Sequence, residues 1–115
     1  MAARKDLVIE QGATFLLDLV LEDPAKQPVD LTGATAQMQG RLRVGAGTTL
    51  FDWSVSGGQI TIDGPAGAVK VSVPASQTRT LSFDVGVYDL EITESDGTVL
   101  RVLEGVVELS KEVTR

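Results

Sequence analysis

The stretch Val85–Leu109, VGVYDLEITESDGTVLRVLEGVVEL, decides the fold. It reads as two long strands joined at Ser95-Asp96-Gly97. Asp-Gly between two runs of β-forming residues predicts a two-residue type I′ turn, since both central positions then need positive φ. In the incoming arm Tyr88, Leu90 and Ile92 fall on one face and Val87, Asp89, Glu91 and Thr93 on the other, the period of a half-buried strand. The outgoing arm is apolar on both faces: Val99, Leu103, Val107 and Leu109 on one, Leu100, Val102 and Val106 on the other. Gly105 is the expected place for a bulge that swaps the faces.

Working outward, the rest of the chain repeats this grammar. Asp6–Gln11 reads as a short strand closed by Gly12. Ala13–Glu22 sets Phe15, Leu17, Leu19 and Leu21 against Leu16, Asp18, Val20 and Glu22. Two polar corners follow, at Asp23–Pro28 and Asp30–Gly33, the second with Leu31 as an inward plug. Ala34–Arg43 alternates around Ala36 and Met38, with Gly40 as an expected bend. Leu50–Val55 lines up Phe51, Trp53 and Val55. Gln59–Asp63 and Ala68–Val73 form a hairpin across Gly64–Gly67. Only Pro74–Leu81 reads as helical, and then for a single turn. About eight short strands with closely spaced turn signals predict an all-β, antiparallel, immunoglobulin-like β-sandwich, with residues 1–115 as one domain.

Composition narrows the chemistry. The chain of 115 residues has neither histidine nor cysteine and a net charge of −6. A Ser-His-Asp arrangement, a thiol nucleophile and thiolate or imidazole metal ligands are therefore excluded. Excess acid opposes a phosphate-backbone partner, and no apolar run reaches the length of a bilayer span. The expectation is no enzyme activity, no catalytic residue, no cofactor, no metal, no nucleic acid and no membrane. Gly45–Gly47 and Gly64–Gly67 lack the Lys-Ser/Thr of a phosphate-binding loop and read as turns. The turn aspartates Asp23, Asp30, Asp63 and Asp96 lack calcium-loop spacing and serve local hydrogen bonds. Phe15, Trp53 and Tyr88 lie on apolar rows and read as core, leaving Phe83 with the most open surroundings.

Leu16, Val20, Leu100, Val102 and Val106 form a second apolar set beyond what a solvated sheet needs, and such surface marks protein–protein contact. The arm at residues 1–6 and the tail at residues 110–115 are expected to reach neighbours.

Glu10-Gln11-Gly12-x-x-Phe15, Val29-Asp30-Leu31-Thr32-Gly33-Ala34-Thr35-Ala36 and Gly86-Val87-Tyr88-Asp89-Leu90-Glu91 are followed by Leu103-Glu104-Gly105-Val106-Val107 and the closing Glu112–Arg115. Together these segments resemble the small β-sandwich structural proteins of tailed-bacteriophage virions, similar to the N-terminal domain of baseplate upper proteins. The resemblance implies a virion structural protein of the tail, baseplate or collar. Such a protein is made in the host cytoplasm, acts through contacts with other virion proteins and is present as a multi-copy homo-oligomer. Baseplate upper proteins continue into a linker and a receptor-binding region. This sequence ends after the sandwich, so the expectation is a domain acting by itself. The alternative is a carbohydrate-binding module at the host surface, which requires a solvent-facing ring at Trp53 or Phe83.

Overall fold

In the computed structural model, which describes residues 2–114, nine strands and one short helix build two facing sheets. The strands are β1 (Ala3–Arg4), β2 (Leu7–Glu10), β3 (Phe15–Val20), β4 (Thr35–Arg41) and β5 (Phe51–Ser54). β6 (Ile60–Asp63), β7 (Ala68–Val73), the helix α1 (Ala75–Thr78), β8 (Val85–Thr93) and β9 (Val99–Ser110) follow. The first sheet runs β1-β9-β8-β4-β5, with β2 also on β9, and the second runs β3-β7-β6. Only β1 and β2 pair in parallel, both along β9. The last two strands beside the fourth and fifth in one sheet, facing a third-seventh-sixth order in the other, make an immunoglobulin-like sandwich. Its opening strands lie along the edge of the last strand.

The alternating rows meet between the sheets. Ile9, Met38, Leu90, Ile92, Val71, Val73 and Val107 are wholly buried, and Leu31 plugs the corner before β4 as its position predicts. An aromatic cluster fills the β5 end. The Phe51 ring stacks on Trp53 at 4.1 Å, with Phe15 5.6 Å from Trp53 and Phe83 6.2 Å from Phe51. Phe83 is thus buried beside Phe51, contrary to the open surroundings expected from its place after the helical turn. Gly40 also differs from expectation. It continues the β4–β5 ladder opposite Phe51 without a bend, and its missing side chain is the space the Phe51 ring occupies.

One buried polar residue ties the helix to the β2–β3 corner. The Thr78 hydroxyl accepts from Gly12 N–H at 3.1 Å and donates to the Ala13 carbonyl at 2.8 Å, with no solvent exposure. Thr78→Val keeps the shape but strands both backbone groups. It is expected to cost about 2–3 kcal/mol in urea unfolding, while Thr78→Ser stays within about 1 kcal/mol of the parent.

The β8–β9 hairpin turns differently from the two-residue reading. Glu94 N–H donates to the Thr98 carbonyl and Gly97 N–H to the Glu94 carbonyl, at 2.8 and 2.9 Å. Gly97 is left-handed at φ 91° and Asp96 is not, so this is a type I turn with a glycine bulge. Asp96 stays right-handed because its carboxylate accepts the Thr98 N–H at 2.9 Å, which closes the loop one residue later. The bulge on β9 also lies elsewhere. Leu90 pairs with Leu103 but Glu91 with Arg101, so the extra residue is Val102. Gly105 is in regular register opposite Tyr88; any side chain there would strike the Lys5 carbonyl.

That contact reflects an arm bound to its own chain rather than free to reach out. Lys5 N–H donates to the Glu104 carbonyl at 2.9 Å, the Asp6 carboxylate accepts Val106 N–H at 3.0 Å, and the Tyr88 hydroxyl donates to the Lys5 carbonyl. At the other end, Glu112 N–H donates to the Gln11 side-chain oxygen and its carboxylate pairs with Arg79, both at 2.9 Å. Val113 is fully exposed beyond it. Met1 and Arg115, the extremes of the predicted arm and tail, lie outside the described residues.

Tyr88 makes the arm sensitive to alkali. Burial, with the Asp6 negative charge beside it, pushes the phenol up from 10.0 to about 12. The folded protein therefore holds this proton more tightly than the unfolded chain. The resulting stability is complete below pH 10 and is lost as pH rises from 10 toward 12. Urea midpoints measured across that interval are expected to fall in the parent and to fall less steeply in Tyr88→Phe. Parallel curves would show that Tyr88 is not the titrating group.

Candidate protein-binding site

The five residues of the second apolar set do not form one face. Leu16 and Val20 project from the outer side of the three-stranded sheet, each 59% exposed. Leu100 and Val102 are half-buried at the start of β9, where they line an open cleft with Leu21, Val29 and Ala3. The bulge at Val102 is what turns these two neighbours toward the interior. Val106, beyond the bulge, lies on the outer side of the larger sheet beside Val87 and Arg4.

The outer side of the larger sheet is a polar lattice. Arg101 Nε lies 3.5 Å from Asp89 and 3.9 Å from Glu91, and its Nη1 lies 3.5 Å from Glu104. Gln37 and Gln39 both donate to Asp52, at 2.9 and 3.0 Å. These groups are exposed, so each ion pair contributes about 0–1 kcal/mol and the face is well solvated. Val106 sits among them with its cross-strand partner Val87, a two-residue apolar spot within the polar face.

Around β3 the arrangement is different. Leu17 and Phe15 are buried, but Leu19 and Leu21, on the same inward row, stay half-exposed because no strand lies beyond β3 on that side. Leu16 and Val20 flank the edge from outside, and Leu100 and Val102 face the cleft from the opposite sheet. Four of the five sequence candidates thus surround the open side of β3. Leu19, Leu21 and Val29 complete that site and were not among them. Their inward parity assigns them to the core, and nothing in the sequence announces that the opening strands pair with β9 and leave β3 uncovered.

Three of the four expected turn aspartates, Asp23, Asp30 and Asp96, serve local hydrogen bonds. Asp63 instead is the last residue of β6, paired with Ala68 in the ladder, and takes no part in such a bond among the described residues. Asp23 accepts from Ala25 and Gln27 N–H, and Asp30 from the Thr32 N–H and hydroxyl. The Thr32 bonds hold the Asp30 carboxyl below its usual range, and those from Thr98 do the same for Asp96. Among the described residues no three His, Cys, Asp or Glu side chains come together as a metal site, and no helix is long and apolar enough to cross a membrane.

No family model and no curated protein matches the sequence. Among solved structures, extracellular domains 3–5 of Drosophila OTK align over 90% of this chain at 15% identity and a TM-score of 0.38. The alignment covers 32% of that chain, about a third of its length. The class rests on the strand order itself: an immunoglobulin-like β-sandwich with a six-residue strand edge left uncovered beside a cleft whose apolar lining is rimmed by Glu22, Arg101 and Glu104.

Proposed function

We propose that this chain is a non-enzymatic structural protein of a tailed-phage virion, a tail, baseplate or collar component present in several copies and working through protein–protein contacts. The observation that carries the reading is the open side of β3, where exposed Leu16 and Val20 flank a cleft lined by Leu21, Val29, Leu100 and Val102. Apolar surface of this kind, beside a strand with one edge unpaired, is a place for a partner rather than for a small polar substrate. The segments that resemble phage sandwich proteins coincide with structural nodes of this fold. These are the β2–β3 corner around Gly12, the Leu31 plug, and the paired stretches of β8 and β9.

The carbohydrate reading loses its footing. Trp53 and Phe83 are 4% and 8% exposed, and both rings belong to the buried aromatic cluster, so neither offers a platform to a sugar. The test of the structural reading is composition of the particle. Mass spectrometry of particles purified from a host carrying the coding sequence is expected to find this chain in several copies, and antibody labelling to place it on the tail or collar. Its absence from particles, with all of it left in the soluble lysate, would overturn the proposal.

A further inference from the structure

The backbone of β3 is half used. Leu21 N–H donates to the Gly67 carbonyl at 2.8 Å, which fixes the alternation of the β3–β7 ladder. Odd-numbered residues exchange bonds with β7, so the N–H and C=O groups of Leu16, Asp18 and Val20 point to the open edge. Among the described residues no hydrogen bond reaches them beyond the ladder. Exposed edges are normally kept short or guarded by lysine, proline or a bulge. β5 and β6 are four residues each, and the β1–β2 edge is broken by charged Lys5 and Asp6. β3 has six residues, none of these guards, and Asp18 as its one charge.

We propose that this edge receives an extended strand of a partner protein, antiparallel to β3, apolar toward the cleft and bearing a basic side chain opposite Asp18. An added strand would extend the three-stranded sheet past the half-exposed Leu19 and Leu21, toward the side of the cleft where Leu100 and Val102 face Leu21 from the other sheet. The chain itself shows what β3 accepts. On its other edge β7 presents Val69, Val71 and Val73 to the core and Lys70 across from Asp18. Asp18 makes no ion pair among the described residues, which leaves its charge open to a second cation.

A second copy fits less well. Two β3 strands about a two-fold axis oppose Leu16 to Val20 only in the register that sets Asp18 against Asp18, and like charges directly opposed are destabilising. The net charge of −6 adds to that repulsion.

The inference rests only on the protein-contact part of the function proposed above, and its test is independent of where the protein resides. The probe is a capped peptide with the sequence of residues 67–74, read by amide hydrogen exchange of the whole chain. At about 1 mM peptide, exchange of Leu16, Asp18 and Val20 amides is expected to slow about tenfold, with Leu17 and Leu19 unchanged. The Lys70→Glu version of the peptide should bind about threefold to fivefold more weakly, and Asp18→Lys in the protein should reverse that preference. Equal binding of both peptides, protection confined to β5 or β6, or no protection at about 5 mM would overturn the proposal. So would protection that grows with protein concentration alone, which would assign the edge to a second copy. Failure of the peptide leaves the particle-composition test standing, and absence from particles leaves this test valid.

Discussion

Gly40→Val is expected to be severely damaging, costing about 3 kcal/mol or more and leaving much of the chain unfolded at 37 °C. A Cβ at Gly40 would touch the Phe51 ring, with Cζ at 2.7 Å and Cδ2 at 2.8 Å. A ring at the end of a side chain usually moves aside. This one has Trp53 stacked on it at 4.1 Å and Phe83 beyond, so yielding would break the aromatic cluster. Gly40 is not left-handed, which makes the cost purely one of volume. Gly47→Val is the matched control, with nothing within 4 Å of its Cβ and no left-handed backbone, and should stay within about 0.5 kcal/mol of the parent. Thermal melts followed by circular dichroism decide it. If the two variants melt together, the packing account of Gly40 is wrong.

Trp53→Ala follows at about 3–5 kcal/mol, the range for deleting a large buried aromatic side chain. Trp53 is the hub of the cluster, in contact with both Phe51 and Phe15, and is 4% exposed. Since it is the sole tryptophan, the parent should fluoresce at the short wavelengths of a dry indole, and unfolding of the variant is best followed by circular dichroism in urea. An exposed platform would behave otherwise: red-shifted emission, and a loss near 1 kcal/mol or less. The same experiment therefore separates core from sugar-binding surface at this ring.

Both substitutions fall on features that alternation along the chain largely reveals. The rows Tyr88-Leu90-Ile92, Phe51-Trp53 and Val69-Val71-Val73 are legible as inward faces from their period of two, and all are buried. The details in which the fold departs from that pattern share one cause, competition between neighbouring local signals. Asp-Gly satisfies a two-residue turn and a type I turn with a glycine bulge equally well; the Asp96–Thr98 bond chooses the latter. The two-faced apolar pattern of β9 requires a bulge, and glycine is the natural suspect. Gly105 instead makes room for the Lys5 backbone, and the bulge falls at Val102, where Leu90 and Glu91 fix the register from across the sheet. Gly40 resembles a bend because a bend and a cavity for a cross-strand ring both call for the smallest residue.

By itself the sequence determined an all-β sandwich, its inward rows, its single short helical turn, and the absence of imidazole and thiol chemistry. Periodicity and composition are local properties, written wherever a strand lies. Only the tertiary structure decided which sheet the opening strands join, and with it which edge stays uncovered. Strand pairing is a contact between distant segments: Leu7 meets Val107 and Val20 meets Ala68, and no local pattern encodes that choice. Once β1 and β2 pair with β9, the open side of β3 follows, and four residues scattered along the chain become the border of one site.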